Sequence, residues 1–152
     1  MSNFYEEVKG LVKFISIIDR NNIPISFFNF DNIDNDFQYQ IMCYSSLDLL
    51  KRNSQKNNYL GLIFSFYEKG IEYGSYGYVG NNGTKICVIK ELKNENETKE
   101  KMNNICKNIY SQFIKLLLNP FFDPNEFNTS NSEQKKKFAE NIIEFMKQNQ
   151  IV

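Results

Sequence analysis

The sequence predicts an α/β fold of the α+β type: a five-stranded antiparallel sheet with one helix on one face and two on the other, in the order ββαβββαα. Three observations carry this. Apolar residues run in short unbroken stretches or alternate through residues 11–30 and 59–92, and recur at steps of three and four in 37–50 and beyond 94. The three consecutive strands between 59 and 92 are joined by turns too short for a crossover, so they must be antiparallel. The strands are apolar on both sides, so each sheet face needs a helical cover.

Leu11 to Ile18 is a nearly continuous apolar run, the pattern of a strand covered on both faces. Asp19-Arg20-Asn21-Asn22 reads as a turn, and Ile23 to Phe30 as a second strand. Pro24 suits an edge position, where a missing N–H does no harm. Asp34 and Asp36 are cap candidates for a helix ending near Asn53, with Phe37, Ile41, Tyr44, Leu47 and Leu50 as its expected core stripe. Asp48 falls well inside that helix. From Tyr59 to Tyr67 the period changes to two: Leu60, Leu62, Phe64 and Phe66 alternate with Tyr59, Gly61, Ile63 and Ser65. Glu68-Lys69-Gly70 turns into a strand from Ile71 to Val79. Asn81-Asn82-Gly83 then signals a hairpin, because Asn and Gly tolerate positive φ. The strand returning from Thr84 to Leu92 sets Ile86 and Val88 on one side and Cys87 and Ile89 on the other.

Beyond Asn94 the pattern is helical. Met102, Ile105, Ile109, Phe113 and Leu116 form the main stripe of a long helix, widened by Cys106, Tyr110 and Leu117. It stops before Pro120, because the residue ahead of a proline is pushed out of the helical region. Ser130-x-x-Glu133 is a capping box for a last helix whose core face is Phe138, Ile142 and Phe145.

A chain of 152 residues fits one domain, and no repeat or linker divides it. At that length roughly 70% of the unfolded surface can be buried. The expectation is a single domain over 1–152, with residues 1–10 as a flexible leader. Eighteen basic residues balance eighteen acidic ones, whereas a nucleic-acid binder carries a basic stripe to displace counterions. The one dense basic run, Lys135-Lys136-Lys137, points three ways on a helix. Nucleic acid is therefore not expected as a partner. Cys43, Cys87 and Cys106 are odd in number and widely spaced, which signals neither a disulfide framework nor a zinc site. Each sits among apolar residues, as a buried thiol does, and the expected compartment is reducing. No stretch approaches the roughly 20 apolar residues that span a bilayer, and Glu6 and Glu7 stand where a secretory signal wants positive charge. Three Asn-x-Ser/Thr triplets begin at Asn82, Asn96 and Asn128; in so Asn-rich a chain they read as chance matches.

The chain has no histidine. Ser-His-Asp and Cys-His catalysis are thereby excluded, and the usual neutral-pH base and commonest metal ligand are missing. Asp31-x-x-Asp34-x-Asp36 lacks the glycine and terminal glutamate of a calcium loop, and capping explains it better. Gly74-x-x-Gly77-x-x-Gly80 precedes a hairpin rather than a helix, so it reads as a strand with close backbone approach rather than a phosphate cradle. No catalytic residue, cofactor site or metal site is expected. Asn119-Pro120-Phe121-Phe122-Asp123-Pro124 is different: two phenylalanines are fixed between two prolines just after a helix. One is expected to fold back on the core and the other to serve as a surface anchor.

That segment resembles the Asn-Pro-Phe-Tyr-x-Pro segment of the sedlin family, small subunits of the vesicle-tethering transport protein particle (TRAPP) complexes. Ser45-Ser46-Leu47-Asp48, Tyr59-Leu60-Gly61-Leu62 and Tyr76-Gly77-Tyr78-Val79 match in the same order, and these three stand nearer to the subunit 2-like branch of that family than to sedlin itself. The likeness runs from about Val12 to about Phe145. It implies a longin (SNARE-like) fold and a non-catalytic adaptor in endoplasmic reticulum-to-Golgi and Golgi transport. The chain would be cytoplasmic, peripheral to those membranes, and bound to other TRAPP-like subunits. In that family the assembled complex activates a Rab GTPase through other subunits. The resemblance further implies that Asp48, Pro120, Phe121 and Phe122 are partner-binding, Asp48 as the acidic residue of the first helix. The leader (1–10) and the Asn-rich stretch 93–99 depart from the family pattern. A rival from another class is a small-molecule or lipid-binding module, with Phe66, Tyr73 and Tyr76 lining a groove. A free-standing SNARE is disfavoured by the missing heptads and anchor.

Overall fold

The computed structural model describes residues 12–30, 36–53, 58–92, 98–123, 127 and 133–148. Strands β1 (Val12–Ile18) and β2 (Pro24–Asn29) come first, then helix α1 (Asp36–Asn53). Strands β3 (Tyr59–Glu68), β4 (Ile71–Val79) and β5 (Lys85–Glu91) follow, then helices α2 (Thr98–Leu117) and α3 (Glu133–Gln148). The strands form one sheet in the order β2-β1-β5-β4-β3, and every neighbouring pair is antiparallel. This is the layered arrangement that the longin resemblance implied.

Burial follows from that order. β1 lies between β2 and β5 and is apolar on both faces, as a central strand must be. On one face Ile15, Ile17, Phe28, Tyr76, Ile86 and Val88 meet Ile105, Ile109 and Phe113 of α2 and Phe138 and Ile142 of α3. On the other, Phe14, Tyr73, Cys87 and Ile89 meet Tyr39 and Cys43 of α1, and Ile18 meets Leu47. Each fully buried Ile or Phe contributes roughly 1.5–3 kcal/mol relative to exposure. Pro24 does begin an edge strand, β2, and Cys87/Ile89 and Ile86/Val88 divide between the faces as their alternation predicts.

Four register shifts modify the simple pattern, one of them between Ile17 and Ile18 where β1 meets the start of β2. Between Val12 and Phe14 one extra residue enters β1 opposite β5, which returns Val12 to the face of Ile15 and Ile17. In β3 the register slips between Tyr59 and Gly61 and again between Leu62 and Phe64. The strict alternation expected there therefore fails. Leu60, Ile63 and Phe66 all pack on the α1 side, and Leu62 points to the other side, half exposed. Leu117, expected in the core stripe of α2, is exposed at the helix end.

The turns follow their chemistry. Lys69 and Gly70 both have positive φ (51° and 81°), the two-residue turn whose twist matches a tight hairpin. Gly80 has no room for a side chain: an added Cβ would overlap the ring of Tyr110, whose hydroxyl donates to Asn82 Oδ1 at 3.2 Å across the β4–β5 hairpin.

Candidate interaction surfaces

The seat of α1 is set by small residues. Ser16, Ser75 and Cys87 are fully buried on the sheet face beneath it. Ser46 reaches down to Ser75 (Oγ–Oγ 2.8 Å), and Ser75 lies 3.1 Å from the Cys87 sulfur. Ser46 also donates to the Met42 carbonyl at 3.0 Å, so its hydroxyl is satisfied within the helix and across to the sheet. Close approach on this floor turns Tyr39, Cys43, Ser46 and Leu47 inward.

The stripe expected to be core is thereby largely turned out. Phe37 is 75% exposed, Ile41 47% and Tyr44 41%; of the described members only Leu47 is buried. Phe37, Ile41 and Tyr44 step by four and three, so they share one line along the outer face. Asp48, four residues beyond Tyr44, continues that line by its position in α1; its side chain, like that of Leu50, lies outside the described residues. Asp31, Asp34 and Ser130 lie outside them too.

The second surface is built by the turn after α2. The Phe122 N–H donates to the Asn119 carbonyl at 3.1 Å, closing a turn with Pro120 and Phe121 at its corner. The Asn119 side-chain oxygen accepts from the Phe121 N–H at 3.0 Å and holds the corner. Phe121 is thus aimed outward, 86% exposed, beside exposed Pro120 and Leu118 (78%). Phe122 turns in, edge-on to Phe113 (6.4 Å) and Phe127 (5.3 Å). The sequence-predicted division of the two phenylalanines is realised as Phe122 in and Phe121 out. Asp48 and this turn belong to opposite sides of the sheet, so the four predicted residues are not one site.

Leu118 joins the second surface unforeseen by motif; its signal was an apolar residue between a helix end and Asn-Pro. Tyr73 and Phe66 stack on each other (5.2 Å) on the α1 side, whereas Tyr76 packs on the α2 side. These three therefore line no common groove. Among the described residues no group of three or more Cys, Asp or Glu is placed to hold a metal ion.

Burial pushes the Cys106 and Cys43 thiols up from their ordinary value of 9.0, so both stay protonated at neutral pH and are poor nucleophiles. Tyr59 is also raised, chiefly by burial, above its ordinary 10.0. These groups fold in their neutral form, and the unfolded chain releases their protons first as pH rises. Their contribution is complete below about pH 9 and falls above it, by at most about 1.4 kcal/mol per pH unit for each group. Thermal midpoints should decline above about pH 9, with Cys106→Ala shallower between pH 9 and 10. An equal slope in the variant would remove Cys106 from the account.

Known proteins decide the family. A family model described as Sedlin matches residues 17–148. The chain belongs to the sedlin family. It is similar to the trafficking protein particle complex subunit 2-like protein of Rattus norvegicus, with 22% identity over 121 residues, covering 74% of this chain and 84% of that protein. The proteins of the same name from Bos taurus and Xenopus tropicalis are 21% and 20% identical over the same coverage. In this sedlin-family chain the family-like segment is described from Asn119 to Asp123; Pro124 lies outside the described residues.

Proposed function

We propose that this chain is a non-catalytic adaptor subunit of a TRAPP-like vesicle-tethering complex, joining two neighbouring subunits in endoplasmic reticulum-to-Golgi and Golgi transport. Membership of the sedlin family supports the coarser reading, a subunit of a vesicle-trafficking complex. One observation carries the bridging role: exposed apolar surfaces lie on opposite sides of the sheet, Phe37, Ile41 and Tyr44 on α1 and Leu118, Pro120 and Phe121 after α2. Contiguous exposed apolar residues with aromatic anchors mark protein interfaces, and two such surfaces on one small chain fit two partners at once. Asp48 is assigned to the α1 surface by its place in the helix, and a carboxylate within an apolar interface orients docking and rejects wrong partners. The chain acts in the cytoplasm, at the periphery of endoplasmic reticulum and Golgi membranes, and as a single domain over 1–152. No helix among the described residues is long and apolar enough to cross a membrane; membrane contact is assigned to the assembled complex.

Affinity purification of the tagged chain from its native cell, with identification of bound proteins, tests this. The expected result is at least two further small trafficking-complex subunits, with Leu118→Asp/Phe121→Asp releasing one while keeping the other. Recovery of the chain without such subunits overturns the reading, and simultaneous loss of both overturns the bridging role.

A further inference from the structure

The C-terminal half of α2, the turn after it and the N-terminal part of α3 enclose an open groove of about 640 Å³. It adjoins the Phe121 turn through Leu116 and Asn119, yet it differs in chemistry from either apolar surface. Among the described residues five side-chain amides line it: Asn108 and Gln112 from α2, Asn119 from the turn after it, and Gln134 and Asn141 from α3. Leu116 and Phe138 supply its apolar part, and Lys115 and Lys137 supply its charge. Among the described residues no acidic side chain lines it.

Gln112 is the discriminating residue. Its Nε2 donates to Asn108 Oδ1 at 2.6 Å, which fixes the amide and leaves Oε1 as the free acceptor. That oxygen is buried and finds no donor among the described residues. Leaving a buried acceptor without a donor is unfavourable, so an occupant that brings an N–H is favoured. The groove thus asks for three things together: negative charge for two ammonium groups, an N–H for Gln112, and an apolar group for Leu116 and Phe138. Inorganic phosphate or a phosphorylated polyol meets only the first. A polypeptide backbone carries N–H and C=O in alternation, which also suits the other four amides.

We infer that the α2–α3 groove binds an extended acidic peptide segment of a partner protein, with carboxylates on Lys115 and Lys137, a backbone N–H on Gln112 Oε1, and one apolar side chain against Leu116 and Phe138. This deepens the adaptor reading, on which it rests only in giving the peptide to a partner.

The test is a titration of the ¹⁵N-labelled full chain with the end-blocked heptapeptide Gly-Asp-Glu-Phe-Asp-Glu-Gly, followed by side-chain amide resonances. Those of Asn108, Gln112 and Asn141 should shift saturably, while that of Gln40 in α1 stays fixed. Lys115→Glu with Lys137→Glu should weaken binding at least tenfold, and Gln112→Ala about threefold or more. Both lysines are exposed, so the double variant should keep its dispersed spectrum; the single variants Lys115→Gln and Lys137→Gln, each about threefold weaker, give the same reading should it not. The inference is overturned by an absence of saturable shifts, or by equal shifts from the peptide with Asn and Gln in place of Asp and Glu. Inositol hexakisphosphate reproducing the peptide's shifts would make the groove an anion site only, and concentration-dependent shifts without peptide would make it a contact between two copies; either overturns the inference. A cell that yields no partner subunits leaves these shifts untouched, so the two readings fail separately.

Discussion

Phe28→Ala should lower the stability of the chain by about 3–5 kcal/mol, the usual cost of emptying a buried phenylalanine site. Phe28 sits on the edge strand β2, which pairs only with β1, yet it is almost fully buried. Its ring stacks on Phe138 of α3 at 5.4 Å and 24°, and meets Phe127 edge-on at 6.3 Å. Phe127 is in turn perpendicular to Phe138 at 5.6 Å, so the three rings form a closed knot. Lys135 adds its ammonium 5.4 Å from the centre of the Phe28 ring. This knot ties the last helix to the far edge of the sheet, so the substitution acts on a whole layer. For a chain of this length the loss corresponds to a fall of thermal midpoint on the order of 10 °C. Phe121→Ala, removing an equally large but exposed ring, should stay within about 0.5 kcal/mol of the parent. Thermal and denaturant unfolding followed by circular dichroism decide it. A Phe28→Ala loss below 1 kcal/mol would mean that α3 is not anchored through β2.

The legible parts of the fold were those in which pattern and environment agree. β4 and β5 emerge where their flanking turns and, for β5, its alternation place them, because each is flanked by strands on both edges and by helices on both faces. α2 and α3 carry one apolar stripe each, so the choice of face was forced. β3 was misread in detail because Gly61, with φ +74°, and the slip after Leu62 each let one extra residue enter the strand. A period of two cannot register insertions that keep the chain extended. The misreading of α1 has a different cause. That helix carries two apolar lines, Phe37-Ile41-Tyr44 and Tyr39-Cys43-Leu47, and the 3.6-residue period admits both. Residue size favoured the first. The sheet favoured the second, because Ser16, Ser75 and Cys87 leave a shallow floor that accepts Cys43 and Ser46 at close range. A serine in the middle of a strand otherwise rich in tyrosine was the available signal: a small residue on a buried face calls for a close neighbour. The site was legible only as motifs. That Phe122 turns in and Phe121 out depends on the Asn119 turn, whose hydrogen bonds no composition argument supplies.

The outward line on α1 carries the largest expected effect on function. Ile41→Glu with Tyr44→Glu should leave a cooperative unfolding transition, since neither side chain is needed to seat the helix. The same change should weaken association with the α1-side partner at least 100-fold. Two central interface residues at about 2 kcal/mol or more each give about 4 kcal/mol, close to a thousandfold in affinity where the losses add, and non-additivity lowers that floor. Binding to the partner recovered by affinity purification, measured by biolayer interferometry, is the readout. Asp48→Asn, on the same line of the helix, tests the charge separately, because it removes the charge and keeps the size of the side chain. The expected result is weaker association with an unchanged transition, and a faster off-rate rather than a slower on-rate, as for a charge at the centre of an interface. If the Glu pair destabilises the fold instead, Phe37, Ile41 and Tyr44 are structural and the α1 surface is not a docking face. If folding and binding both survive it, the bridge must use the Leu118–Phe121 surface and the α2–α3 groove alone. Both contacts would then lie on one side of the sheet, and the chain would cap its complex rather than join two parts of it.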